Sequence, residues 1–365
     1  MIKVLHILST LTINSGVSSF VMNYYRNIDR DKVQFDFLYF EKADNEILNE
    51  IKSLGGNVYY VKKPSFKNCI RTYKEFNKIF QKHRCEYSAV HLHEVYLVHF
   101  INHFVKKYEI KHLITHAHTT KYSDNPINAI RNRIMCLGLT KVATEYFACS
   151  KAAGEFYYGK KAGKNALVKV IPNAIDLKKY KFNETIRNKV RKELNIEDKF
   201  VIGHIGRMAP QKNQKFLLKI FAELRKENDR AVLLIIGDGS LHNEIENEIL
   251  NLALSDSVIL LGVRKDIPAL LMAMDVFVLP SLFEGLGIVV LEAQATGLQC
   301  ILSDKVPKEV DCGLCKFVKL NAGTDVWCNV ISKYSVDYRD YFNKNIEVYD
   351  IRKCVNNLVK EYLAM

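Results

Sequence analysis

Short apolar runs alternate with longer amphipathic stretches along almost the whole chain, and that alternation restricts its possible folds more than any other feature. The runs are KVLHILS, FDFLYF, VYYV, AVHLH, HLITHAH and YFACS, followed by FVIGHIG, AVLLIIG, VILLG, VFVLP and CILS. Between them lie helical patterns such as NQKFLLKIFAELRKEN and LHNEIENEILNLAL. Strands separated by helices predict a parallel sheet, whose strands are covered on both faces. Two successive series in 365 residues predict two doubly wound α/β domains rather than one barrel. The break is expected near IPNAIDLKKYKFN, around residues 172–183, where proline, asparagine and charge cluster. The expected domains are 1–175, joined by a closing amphipathic helix at 347–365, and 176–346.

Composition narrows the class. No apolar run approaches the roughly 18 residues that would span a membrane. MIKVLHILST reads as a first strand rather than a signal peptide. Nine scattered cysteines fit a reducing cytoplasm, and the CGLC pair, Cys312 and Cys315, lacks a second pair to complete a zinc site. The net charge of +13 is uneven. Residues 1–176 hold 26 lysines and arginines against 15 acidic residues, a net of +11, whereas residues 177–365 hold 27 against 25. The N-terminal half therefore suits an anionic partner such as a phosphorylated lipid or an anionic membrane surface. A merely solubilising surface explains the charge equally well. The basic residues form no dense run and no nucleic-acid module is present.

Doubly wound sheets bind ligands beyond the carboxyl ends of their strands, so the residues after each strand are the candidates. After the first strand, Asn14, Ser15 and Gly16 form a small-residue loop that opens a helix. Glycine there lets a phosphate or sugar approach backbone N–H groups, although a simple turn is the plainer reading. Two strands end in histidine pairs, His91 and His93 before Glu94, and His116 and His118. Alternation puts each pair on one face, but no further ligand completes a metal site, so a polar hand-hold for a sugar or acceptor is expected. HIGRMAPQKNQ places Arg207 and Lys212 on one loop, a combination suited to a diphosphate or to solvent. IIGDGSL, with Gly237 and Gly239, is a common α/β turn.

FEGLGIVVLEA is the most unusual stretch, with Glu284 and Glu292 bounding seven glycine or aliphatic residues. Carboxylates resist burial unless paired. The alanine-rich continuation predicts a helix from near Gly287, with Glu284 in the preceding loop and Glu292 on the second turn. Val289, Val290 and Leu291 are expected to bury that helix. Open N–H groups around Gly285 and Gly287 suit a phosphate, and the carboxylates suit the hydroxyls of a sugar and a ribose.

Taken together, the early loop, the H-x-H strand ends, FACS, IPNAIDLKKY, GRMAPQKN, IIGDGSL and LPSLFEGLGIVVLEAQATGLQCILSD resemble the retaining glycosyltransferases of the GT-B fold, family 4. SGVSSFVMNYYRNIDRDKVQFDFLYF further resembles bacterial enzymes of capsular and exopolysaccharide assembly. The resemblance implies two Rossmann-like domains facing across a cleft, the first for the acceptor and the second for a nucleotide sugar. It implies that Arg207 and Lys212 neutralise the donor diphosphate, Glu292 holds the ribose and Glu284 contacts the sugar hydroxyls. Gly285, Leu286, Gly287, Ile288 and Val289 would line the donor, with Val263 beside the nucleobase. Gly16 would approach the diphosphate, and His118 would lie near the reacting centre. The family's loop has two adjacent glycines, and here Ser15 replaces the first. Gln211 stands where many members have glutamate.

The implied activity is metal-independent transfer of a hexose or N-acetylhexosamine from a nucleotide sugar, by family frequency a UDP-sugar. The acceptor would be a polyprenyl-diphosphate-linked oligosaccharide at the inner membrane surface, the enzyme being cytoplasmic or peripheral there, with no cofactor and no nucleic acid. Rival readings are a GT-B nucleotide-sugar epimerase, a non-catalytic nucleotide-sugar or glycan-binding partner subunit, and a nucleic-acid binder.

Overall fold

The fold was obtained as a computed structural model, which describes residues 1–13, 15–65, 68–123, 125–160, 167–334, 339 and 344–365. The chain divides into two units, residues 1–174 with 351–365, and residues 175–350. Each is a parallel sheet with helices.

The first unit has strands β1 (Ile2–Leu8), β2 (Val33–Tyr39), β3 (Val58–Tyr60), β4 (Ala89–Leu92), β5 (His112–Ala117), β6 (Glu145–Ala148) and β7 (Val168–Val170), in the order 3-2-1-4-5-6-7. The second has β8 (Phe200–Ile205), β9 (Ala231–Ile236), β10 (Val258–Gly262), β11 (Val276–Leu279), β12 (Gln299–Ser303) and β13 (Cys315–Val318), in the order 10-9-8-11-12-13. The winding reverses between β1 and β4 in one sheet and between β8 and β11 in the other. Loops leaving such neighbouring strands diverge and open a crevice, which is where a doubly wound sheet accepts a ligand.

Burial explains why the strands read as solid apolar runs. All six residues of β9 are buried, because helices cover both faces. The helix Gln214–Glu227 supplies Leu217, Leu218, Phe221 and Leu224 to that core at helical spacing. In the first unit, the closing helix Ile351–Leu363 packs against the helix Gly16–Asn27, and Tyr24 of the latter donates its hydroxyl to the Pro172 carbonyl.

One buried polar group organises the base of the second sheet. Asp275, just before β11, accepts from Arg187 at 2.5 Å, from Arg191 at 3.2 Å and from the Val201 N–H at 2.7 Å. The arginines also donate to the carbonyls of Met272, Ala273 and Met274. All three side chains are almost wholly withdrawn from water. The network ties the helix Glu184–Glu193 to the strands on either side of the winding reversal.

Candidate active site

In the second unit the reversal brings together two loops distant in sequence. Leu282 N–H donates to the Gln211 carbonyl at 2.8 Å, and Asn213 Nδ2 donates to the Pro280 carbonyl at 3.2 Å. Across this seam the Lys212 ammonium meets Glu284 at 2.7 Å. Glu284 is only 5% exposed. A carboxylate so buried must be paired, and this one is paired with the lysine of the other loop. The lysine stem runs close over Gly206, where an added Cβ would lie 3.0 Å from its methylenes. An ammonium has three N–H donors and one suffices for Glu284, so the group can also meet an anion. Arg207, on the same loop, is exposed.

Gln211 now has a physical reason. Its Nε2 donates to the Phe283 carbonyl at 3.0 Å and lies 3.4 Å from Glu284 Oε2. A glutamate here would set a second carboxylate against Glu284, whereas the amide donates to it.

The helix after this loop is Ile288–Ala295, as the alanine-rich pattern predicts. It begins on Gly287 at φ +84°, a left-handed conformation that favours glycine, with no side-chain cap. Val290 and Leu291 are wholly buried. Val289 is not: it shares a half-buried face with Ile288 and Glu292, because those positions lie on the side of the helix turned away from β12 and its neighbours. Leu286 and Gly285 are buried and Val263 is exposed beyond β10. Gly237 and Gly239 serve packing, since an added Cβ would stand 2.2 Å from the Gly206 carbonyl oxygen and 2.3 Å from that of Met208.

Glu292 has a partner that sequence reasoning missed. The Tyr180 hydroxyl donates to its Oε1 at 2.6 Å. Burial raises the Glu292 pKa, and the tyrosine bond opposes that rise. Tyr180 ends the IPNAIDLKKY segment, so the signal was present in a motif read only for its resemblance. His204 was also overlooked. It is fully buried in β8 and donates from Nδ1 to the Val278 carbonyl at 2.9 Å, while Nε2 has no partner among the described residues. Burial lowers its pKa to about 4, so it is neutral at pH 7.

In the first unit, Ser15 caps the helix Gly16–Asn27, its side chain accepting from Ser18 N–H. Asn14 lies outside the described residues. A Cβ on Gly16 would meet nothing within 4 Å and its φ is not positive, so neither packing nor backbone strain explains this glycine. The Ser9 hydroxyl donates to Glu94 across the β1–β4 reversal.

The histidines form two rows that the strand alternation only half revealed. His118, His93 and His6 are joined edge to edge at 2.7 and 3.0 Å. His116 and His91 are joined at 3.0 Å, and His91 reaches the Tyr362 hydroxyl of the closing helix at 2.6 Å. The rows stack, His91 on His93 at 4.5 Å and His116 on His118 at 4.1 Å. Burial holds all five pKa values below the ordinary histidine value, that of His118 at about 3, so the rings are neutral at pH 7. A neutral ring has one donor and one acceptor, so the proton position on one ring sets the others in its row. Nitrogens of His6, His91 and His93, and of His93, His116 and His118, lie within 4.8 Å of one another. The near-parallel rings spend most of their nitrogens on these hydrogen bonds, and His6 Nε2 and His116 Nε2 have no hydrogen-bond partner among the described residues. Of the expected hand-holds only His118 is half-exposed; His91, His93 and His116 are buried, because their rings pack between the sheet and its covering helices.

Residues 186–311 match the family model Glycosyl transferases group 1. The chain is 33% identical to EpsF of Bacillus subtilis (strain 168), named as a glycosyltransferase, over 99% of this chain and 96% of that one. The chain belongs to the group 1 glycosyltransferases. Over 145 residues, 38% of this glycosyltransferase and 36% of the relative, it is 42% identical to the Escherichia coli UDP-Gal:alpha-D-GlcNAc-diphosphoundecaprenol alpha-1,3-galactosyltransferase. Among solved structures, Anabaena Alr3699/HepE in complex with UDP-glucose matches all of both chains with a TM-score of 0.81 at 19% identity. The fold of this glycosyltransferase is therefore GT-B. Among the described residues no helix is long and apolar enough to cross a membrane.

Proposed function

We propose that this glycosyltransferase is a retaining, metal-independent enzyme that moves a hexose or N-acetylhexosamine from a UDP-sugar to a polyprenyl-diphosphate-linked glycan in capsular or exopolysaccharide assembly. The observation that carries the donor half of this reading is the Lys212–Glu284 pair at the β8–β11 reversal, on the same loop as Arg207. The leaving diphosphate gains charge as the glycosidic bond breaks. Fixed cations aimed at that charge need no reorganisation, and they supply what a divalent metal supplies elsewhere. In this reading Lys212 and Arg207 meet the diphosphate while Glu284, oriented by Lys212, accepts from sugar hydroxyls. Glu292, oriented by Tyr180, accepts from the ribose, with Val263 beside the base and the 285–289 backbone along the sugar and phosphate. Gly16 is assigned to the diphosphate and His118 to the reacting centre, as the resemblance implies. Support for the acceptor class comes from relatives whose names carry a diphosphoundecaprenol-linked sugar, in Escherichia coli and in Campylobacter jejuni.

Thermal unfolding with UDP, GDP, ADP, CMP and common UDP-sugars, without metal, tests this reading. A ligand at a hundred times its Kd stabilises by about 2.7 kcal/mol, a visible rise in Tm. A selective response to UDP, and a further rise with one UDP-sugar, is expected. A response to none of them would remove the donor assignment. Transfer from the selected UDP-sugar is expected to survive EDTA unchanged, and its loss would overturn metal independence.

A further inference from the structure

One of the two histidine rows in the first unit is sealed at one end and open at the other. His6 Nδ1 meets His93 Nε2 at 3.0 Å, and His93 Nδ1 meets His118 Nε2 at 2.7 Å. At the sealed end the His6 ring packs against Phe35 and Phe37, and its buried Nε2 has no partner among the described residues. At the open end His118, just beyond β5, is half-exposed, and its Nδ1 makes no hydrogen bond among the described residues. The second row holds the planes of the first through the stacking of His91 on His93 and of His116 on His118, and Phe20 sets its edge against His118 at 5.1 Å.

Each bond in the row needs one donor and one acceptor, and each neutral ring has one of each. Burial keeps the three rings neutral at pH 7, so all of them carry the proton on the same kind of nitrogen and only two orders exist. With protons on Nε2, His6 buries an N–H that has no acceptor, and His118 turns a bare nitrogen outward. With protons on Nδ1, His6 keeps a bare nitrogen inside, and His118 turns an N–H outward. Buried N–H groups without an acceptor are rarer in folded proteins than buried acceptors left short of a donor, which selects the second order.

We propose, resting on the assignment of His118 to the reacting centre, that His93, backed by His6, is a positioning residue that holds His118 as an N–H donor toward a substrate oxygen. His93 is buried and acts only through His118. In this order His118 turns no bare nitrogen outward, so it is not the base that takes the acceptor's proton. Its part is to offer a fixed, preorganised donor.

Long-range nitrogen–proton correlation spectra of enzyme labelled in its histidine rings distinguish the protonated nitrogen of each ring from the bare one. His118→Gln, His93→Asn and His6→Phe assign the three rings. The spectra are recorded at pH 7 without donor or acceptor, so a failure there is separate from a failure of the transfer reading. Protons on Nδ1 of His6, His93 and His118 are expected, and a proton on Nε2 of His118 would overturn the proposal. His93→Leu leaves the His118 ring without the donor that holds it. It is expected to lower kcat with the UDP-sugar about tenfold, the weight of one hydrogen bond, at a nearly unchanged KM. His93→Asn, whose amide can donate to His118 from near the Nδ1 position, is expected to recover most of that loss, which a general loosening of the fold would not allow. Wild-type kcat in His93→Leu would overturn the role of His93, as would a His93→Asn enzyme no faster than His93→Leu. Should His93→Leu fail to fold, the wild-type spectra still decide the order of the row.

Discussion

Replacing Lys212 by methionine is expected to slow glycosyl transfer about a hundredfold to a thousandfold, the effect of removing one preorganised donor from a site where charge develops. Two losses combine. The leaving diphosphate loses a cation, and Glu284 loses the partner that makes its burial tolerable. A buried carboxylate without a counter-charge takes up a proton or moves, so the group assigned to the sugar hydroxyls is disturbed as well. The substitutions should therefore not be additive. Glu284→Gln alone is expected to slow transfer while leaving UDP affinity nearly intact, and combined with Lys212→Met it should cost less than the product of the single effects. Initial rates with the UDP-sugar selected by thermal shift, together with UDP titration calorimetry, give both quantities. Turnover at the wild-type rate in Lys212→Met would refute the assigned role of the lysine. Additive effects would mean that the ion pair is incidental to the reaction.

Asp275→Ala is expected to destabilise the second unit by about 3–5 kcal/mol, the cost of leaving buried charges without their partner. The substitution strands two guanidinium groups, Arg187 and Arg191, that are nearly withdrawn from water, and it frees the Val201 N–H. A chain of two units does not unfold in a single step, so a global transition would blur the effect. The protein supplies its own local reporter. Its single tryptophan, Trp327, is wholly buried in the core of the second unit. Its fluorescence during urea unfolding follows that unit. An unchanged midpoint in Asp275→Ala would show that the network contributes nothing net.

Eleven of the strands were legible because each is a largely apolar or aromatic run, including the edge strands β3 and β10, which are only partly buried. β7 and β13 were not anticipated. Both are edge strands of three and four residues, only partly buried, and each apolar run is broken by one lysine, Lys169 or Lys316. They are strands because β6 and β12 offer unpaired backbone, which a local pattern does not record. The candidate site was readable to a similar degree. Arg207, Lys212, Glu284 and Glu292 stood out as charges placed after strands or within an apolar run. Tyr180 and His204 did not, since a tyrosine or a histidine in an apolar context is more often plain core. The paired His91 and His93, and His116 and His118, follow from strand alternation. The rows they form with His6 and Tyr362 depend on neighbours 87 and 271 residues away in the chain.

The helix Pro126–Met135, which exposes Ile127, Ile130 and Ile134 and buries Asn132, shows the same limit from the other side. Asn125, Pro126 and the absence of breakers make Pro126–Met135 a helix on local grounds alone. Which face it buries is decided by what lies beneath it, and beneath it are the Tyr122 carbonyl and Asn132 rather than an apolar core.

The residues by themselves determined the type of each long element, the two series of strands, and the loops at which charge and glycine gather. These follow from short-range sterics, capping and the burial of one face or two. The tertiary structure alone decided that Lys212 meets Glu284 across 72 residues, that Tyr180 meets Glu292 across 112, and that Gln211 sits where it does. Strand order sets those meetings. β8 pairs with β11 because right-handed crossovers wind the sheet outward in both directions from that seam, and only then do the two loops share a crevice.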